Sequence, residues 1–290
     1  MISPYALENG RIAIKRARHG LMMFNRHDLF IGRAIDRYGE WCEGELDLVR
    51  PAIRQGDVVL DVGANLGTHA LAFARMVGPT GTVIAFEPQP LVFNILAANA
   101  ALNGADQLRC LNAAAGSGGG TINVPRTPPD QPANFGDLHL RQDNFGPADI
   151  VPLIAIDDLS LQSCRLIKAD VQGMEAEVLR SATDTIARLR PMLYVECETV
   201  EQAPELIGMI LGFGYDLYWH FAPYFSPTNF FDSQDNVFAN LRPAQNLICV
   251  PSEQGIPVNN LDPCQGVEDN CIKALRRMFT ANGWSTEGLN

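Results

Sequence analysis

Asp57-Val-Val-Leu-Asp61-Val-Gly63-Ala-Asn65-Leu-Gly67-Thr68 decides the fold of this 290-residue chain. A short apolar run of strand length meets a glycine-bearing turn, and helical spacing follows over residues 67–76 until Gly78. The same alternation continues downstream. Residues 82–86 read as a second buried strand, and 91–102 as its helix, closed by Asn103-Gly104. Strands are expected at 108–114, 166–170 and 192–196, with a helix at 174–189 stopped by Pro191. Residues 215–219 and 246–250 form a closing hairpin with a long connection. Strands alternating with helices, joined by right-handed crossovers, predict an α/β doubly wound, mostly parallel sheet over residues 51–251.

Outside that alternation, residues 1–50 form an N-terminal extension packing on the core, which spans 51–255. Residues 116–152 and 219–245 are loop insertions, and 256–290 form a peripheral tail with a short helix at 272–279. The Gly-, Pro- and Asn-rich stretch 116–152 lacks periodicity, and loops of that length are usually functional.

Composition narrows the class. A hydrophobic fraction of 47% and a mean hydropathy of −0.02 describe a globular chain. Net charge is −11 and the pI about 4.9, so the basic footprint of a nucleic-acid binder is missing and no nucleic-acid partner is expected. No apolar run approaches the ~20 residues of a membrane span. Seven scattered cysteines, mostly within apolar runs, read as reduced core thiols of a cytoplasmic protein.

The loop after the first strand carries the chemistry. A dinucleotide fingerprint needs a middle glycine against which a pyrophosphate can lie, and Asn65 occupies that place. No lysine follows Gly67, so the loop is not a P-loop either. Asp61 would repel phosphate and attract an ammonium group, which suits an amino acid joined to a nucleoside: S-adenosylmethionine. The two glycines could equally serve only a tight strand-to-helix turn. Glu87 follows Asp61 by 26 residues, near the spacing of about 20 expected for a ribose-binding acid.

Asp61-Val-Gly-Ala-Asn-Leu-Gly67, Phe86-Glu87-Pro88, the run from Ile167 to Glu175, Val178-Leu179, and Arg190-Pro191 before Glu196 together resemble the FkbM family of S-adenosylmethionine-dependent methyltransferases. Tyr38-Gly-Glu-Trp41 and Asn229-Phe-Phe231 resemble one branch of it. The resemblance implies the class I methyltransferase fold, a Rossmann-like three-layer sandwich with seven strands in the order 3-2-1-4-5-7-6. It also implies O-methylation of a hydroxyl on a sugar, glycan, polyketide or other small molecule. Gly63, Ala64, Asn65 and Gly67 would then hold the methionine part with Asp61, and Thr68 would start the helix. Glu87 and Pro88 would sit at the ribose, and Asn112, Ala113 and Ala114 against adenine. Asp170 would face the transferred methyl. Gln172 stands where the family usually has Glu, which removes a charge beside the expected reaction centre.

Methyl transfer to an alcohol asks the protein to align the acceptor and remove its proton. Asp170 and His220 are the catalytic candidates, with Asp170 as the base. Asp170 and Glu196 end neighbouring strands and could share one site, although two carboxylates are a thin case for a divalent metal and none is assigned. Lys168 lies on the same strand face as Asp170 and could pair with it. Glu175 could simply cap the helix after Gly173. The aromatic run after His220 could stack a sugar ring or cover apolar core. His19, His27, His69 and His139 are read as structural or solvated. The competing functions are an S-adenosylmethionine-binding module without turnover and an NAD-linked oxidoreductase.

Overall fold

The computed structural model describes residues 7–138 and 146–286. It begins with an antiparallel sheet of β1 (Leu7–Glu8), β2 (Ile12–Ala17) and β3 (Gly20–Asn25), followed by helices α1 (Ile31–Tyr38) and α2 (Glu43–Val49). The central alternation runs β4 (Val58–Val62), α3 (Thr68–Val77), β5 (Thr82–Phe86), α4 (Pro90–Leu102) and β6 (Leu108–Leu111). A small sheet interrupts it, made of β7 (Ala114–Ala115), β8 (Gly120–Pro125) and β9 (Ala148–Ile154). The alternation then resumes with β10 (Leu166–Ala169), α5 (Glu175–Arg180), α6 (Thr183–Leu189), β11 (Met192–Glu196) and α7 (Ala203–Gly212). Strands β12 (Tyr215–Ala222), β13 (Ala244–Pro251) and β14 (Asp262–Pro263), then helix α8 (Cys271–Ala281), complete the described chain.

The central sheet has eight strands in the order β6-β5-β4-β10-β11-β13-β12-β14. Without the two-residue edge strand β14, chain-order numbering gives 3-2-1-4-5-7-6, the class I methyltransferase topology. Strands β6, β5, β4, β10 and β11 run parallel, and β13 runs antiparallel to β11. Adjacent residues of these strands face opposite layers. Leu60 and Val62 pack with Val178, Leu179 and Ile207 from one helical layer. Val59 packs with Leu71, Phe73 and Leu96 from the other, which also takes in Met22 and Phe24 of β3. Burial on both faces explains why these strands read as continuous apolar runs.

Four expectations need correction. The strand expected at 108–114 stops at Leu111, because the Asn112 side chain donates to the carbonyls of Glu87 and Pro88 (2.9 and 3.0 Å) and turns the chain out of the sheet. The single helix expected at 174–189 is two helices. Between them the Ser181 carbonyl accepts from Asp157 N–H, and the Asp157 carboxylate caps the second helix by accepting from the N–H groups of Asp184 and Thr185 (3.0 and 2.8 Å). The stretch 116–152 contains the antiparallel pair β8–β9, with Ile122 opposite Val151. The tail is not peripheral. Strand β14 extends the sheet edge, α8 buries Cys271, Ala274 and Leu275, and Asp269 accepts from Trp219 Nε1 at 3.0 Å. Helix α7 was missed, and the closing hairpin is longer than expected, each strand having eight residues.

Candidate functional site

A cavity of about 410 Å³ opens beyond the carboxyl ends of β4, β5, β10 and β11, where open α/β sheets bind their ligands. Gly63, Asn65, Glu87, Pro88, Ala113, Ala114 and Asp170 line it. Asp61, Ala64, Gly67, Thr68, Asn112 and His220 do not.

Gly63 and Gly67 both have left-handed backbones, at φ +84° and +93°. A Cβ on Gly63 would lie 1.8 Å from the Asp170 carbonyl oxygen, and one on Gly67 2.7 Å from Leu96 Cδ1. The fold alone therefore demands both glycines. Asn65 is also left-handed (φ +49°), a conformation that asparagine tolerates. Its N–H donates to Glu87 Oε2 at 3.0 Å, and its Nδ2 reaches the Phe135 carbonyl at 3.4 Å.

Glu87 is buried at the end of β5. Its second oxygen accepts from Gln89 N–H at 2.8 Å. Burial pushes the carboxyl up to about 8, although both backbone donors favour its charged form. Gln89 Nε2 in turn donates to the Phe135 carbonyl at 2.8 Å. This docks residues 134–138 of the insertion against the cavity, and Asn134, Gly136, Asp137 and Leu138 line it.

Asp61, expected to meet the ligand's ammonium group, does not line the cavity. It is fully buried in β4, in register with Lys168 of β10, whose ammonium lies 3.6 Å from Asp61 Oδ1 and 3.2 Å from Asp170 Oδ2. Burial disfavours the ammonium, but the surrounding carboxylates hold the Lys168 pKa above its ordinary value. Burial would raise Asp170, and Lys168 outweighs it, so Asp170 stays below the usual carboxylate range. The expected Lys168–Asp170 pair is therefore present.

Gln172 Nε2 donates to Glu196 Oε2 at 2.9 Å and lies 3.4 Å from Asp170 Oδ1. A donor amide thus sits between the two carboxylates considered for a metal. Among the described residues no group of three or more His, Cys, Asp or Glu side chains is arranged to hold one. Burial pushes Glu196 well up, and Asp170 adds to the effect. Glu175 Oε1 accepts from Val171 and Gly173 N–H (2.9 and 3.2 Å), so this side chain holds the loop before α5.

His220 lies off the cavity wall on β12. Its Nδ1 is 2.8 Å from the Tyr194 hydroxyl, and burial lowers its pKa to about 4. His69 is buried on α3, His19 Nε2 contacts Glu43 Oε1 at 2.6 Å, and His27 gives its carbonyl to Ala133 N–H. His139 lies outside the described residues.

The aromatic segment after His220 divides. Tyr224 stacks on Trp41 with ring centroids 5.1 Å apart, and both line the cavity. Phe225 and Phe238 pack on Tyr38. The Tyr38 hydroxyl donates to the Asp235 carbonyl and accepts from Val237 N–H (2.9 and 2.8 Å). Buried Asn229 ties the turn by donating to the Ser226 and Ser233 carbonyls (2.7 and 2.6 Å). Phe231 N–H donates to the Tyr38 carbonyl, so the segments 38–41 and 229–231 meet.

Sequence reasoning missed several polar residues on the cavity wall, among them Gln89, Asn134, Thr199 and a bonded pair from α2 and β13. Glu45 of α2 is 6% exposed, and Asn246 of β13, 3% exposed, donates to its Oε1 at 3.1 Å. Each had a signal. Glu45 adjoins Leu46 and precedes Val49 by one helical turn, which puts it on the buried face. Asn246, with Gln245 before it, is polar in a strand whose remaining residues are apolar.

The donor set fits S-adenosylmethionine. Carboxylates from Glu87, Asp170 and Glu45 line the cavity, and its described wall has no Lys, Arg or His, so a pyrophosphate would find no counter-charge.

Residues 61–217 match the sequence model of the family described as the methyltransferase FkbM domain. The chain is similar to 31-O-demethyl-FK506 methyltransferase FkbM of Streptomyces tacrolimicus, with 36% identity over 100 residues, which cover 34% of each chain. It is also similar to methyltransferase sdnD of Sordaria araneosa, with 26% identity over 191 residues, covering 55% of this chain and 73% of that one. The match thus spans about a third of the first relative's length. Among solved structures, methyltransferase FkbM from Methylobacillus flagellatus is similar at 20% identity and a TM-score of 0.45, over 67% of this chain and 43% of that one.

Proposed function

Because this chain belongs to the FkbM methyltransferase domain family, we propose that it is an S-adenosylmethionine-dependent O-methyltransferase acting on a hydroxyl of a small molecule, sugar or glycan. The observation that carries this reading is the cavity at the carboxyl edge of the sheet, with buried Glu87 at one end and Asp170, beside Glu196, at the other. Its wall favours a cationic, phosphate-free cofactor over NAD.

Glu87 would accept hydrogen bonds from the ribose hydroxyls, beside Asn65 and Pro88. Ala113 and Ala114 leave room for the base. S-adenosylmethionine, when bound, supplies a methyl group on a sulfonium that already activates it. Asp170, fixed by Lys168, would place negative charge near that sulfonium, and Gln172 would hold Asp170 and Glu196 in place. Trp41 and Tyr224 would give the acceptor an apolar face to rest on. Residues 134–138 would cover the nucleoside end and exclude water.

The net charge of −11 speaks against a nucleic-acid acceptor. Unpaired thiols at all seven cysteines suit the cytoplasm. No described helix is long and apolar enough to cross a membrane. The test is a screen of hydroxylated acceptors with isotopically labelled methyl donor, followed by mass location of the new methyl group. Transfer to an oxygen supports the reading. Cofactor binding without transfer to any acceptor would favour a binding module instead.

A further inference from the structure

We propose that Glu45, aimed by Asn246, is the base that takes the proton from the acceptor hydroxyl. The inference rests on the methyl-transfer reading above. Glu45 projects from the first turn of α2 into the cavity that Asp170 and Glu196 also line. Its Oε1 accepts from Asn246 Nδ2 at 3.1 Å, which fixes the carboxylate, while Oε2 has no hydrogen bond among the described residues. The nearest basic atom to Oε2 is His69 Nδ1 at 3.8 Å.

Asp170 and Glu196 of the same wall, and Glu175, which does not line it, are worse placed for this work. Asp170 has one oxygen on Lys168 and the other facing Gln172, and a carboxylate held below its ordinary pKa is a weak base. Glu196 is pushed well up by burial, and its Oε2 already accepts from Gln172. Glu175 is engaged by two backbone donors.

The charges facing Glu45 come from several elements. Lys168 faces it from β10, Asp170 from just beyond that strand and Asp61 from β4. His69 on α3 is neutral, its pKa pushed down to about 3 by burial. Burial likewise keeps the Cys42 thiol and the Tyr194 phenol protonated. Burial outweighs the Lys168 ammonium and brings Glu45 to about 7, where a base is ionised yet strong enough to accept a proton.

The step balances. The acceptor oxygen forms its bond to the methyl carbon, sulfur keeps the electron pair of the broken sulfur–carbon bond, and the hydroxyl proton passes to Glu45. The open cavity then returns that proton to water.

The test compares wild type, Glu45→Gln and Glu45→Asp, using S-adenosylhomocysteine as the binding probe and labelled S-adenosylmethionine with the alcohol that the acceptor screen returns. Glu45→Gln should cut the transfer rate about 10² to 10⁴-fold while S-adenosylhomocysteine affinity changes less than about tenfold. The wild-type rate should rise to a plateau through pH 7, and that limb should vanish in Glu45→Gln and survive in Glu45→Asp with partial activity. A Glu45→Gln protein that keeps the rate or the limb overturns the proposal and leaves the methyltransferase reading intact. A wild type that binds the probe but methylates no hydroxyl overturns both. If Glu45→Gln does not fold, the decision passes to wild type and Glu45→Asp. A neutral-range limb that moves between them supports the proposal, and a flat or identical profile overturns it.

Discussion

Gln172 and Glu196 are joined by a hydrogen bond of 2.9 Å from the amide nitrogen to the carboxyl oxygen, across the carboxyl ends of two neighbouring strands. The amide lets Asp170 and Glu196 lie close without direct repulsion. Gln172→Glu would put a third acid between two others. The variant should match wild type in thermal stability near pH 5, where the added carboxyl can stay protonated, and lose several degrees by pH 8. Melting curves across that range check it, and equal curves would mean the amide has no such role.

Lys168 is the cation that allows Asp61 inside β4. Lys168→Met would leave Asp61, fully buried and without a hydrogen-bond partner, with no counter-charge. Removing one partner of a buried pair costs about 3–5 kcal/mol. Denaturant unfolding should show a loss of that size, and a loss below about 1 kcal/mol would contradict the account.

Glu87 and Glu45 give the stability a direction with pH. Both carboxyls are raised by burial, to about 8 and about 7, so folding favours their protonated forms. Their contribution is complete below the unfolded carboxyl pKa and is lost as pH rises through the folded values. The empty protein should therefore lose stability between about pH 5 and pH 8. Glu87→Gln and Glu45→Gln should each flatten that slope.

How much of this was legible in the sequence depended on whether the deciding contact was local. The parallel strands of the central sheet announce themselves because burial on both faces writes continuous apolar runs, whereas helix α7 was missed. The break at Ser181 did not announce itself, because the Asp157 carboxylate that caps α6 comes from 26 residues before Thr183. The pairing of Lys168 with Asp170 follows from strand alternation. Its second partner, Asp61, lies across a register that no single strand reveals. Trp41 and Tyr224 stand in separate segments, and their stacking is set by the Tyr38 and Asn229 contacts that dock the late loop.

Tyr38→Phe tests that docking. It removes the acceptor of Val237 N–H and the donor to the Asp235 carbonyl, a loss of about 1–3 kcal/mol if both are left without partners. Because the loop carries Tyr224 and not the nucleoside contacts, acceptor KM should rise while S-adenosylhomocysteine affinity stays within about twofold. Equal weakening of both would show that the loop serves the whole cavity.

The central claim is that the cavity holds S-adenosylmethionine with Glu87 on the ribose. Calorimetric titration of S-adenosylhomocysteine, S-adenosylmethionine and NAD into wild type and folded Glu87→Ala tests it most directly. Ribose hydroxyls left buried without their partner cost about 1–3 kcal/mol each, so the variant should bind both adenosyl ligands at least tenfold more weakly. Wild type should bind both and not NAD. Binding of NAD alone, or adenosyl affinity unchanged in Glu87→Ala, would contradict the account.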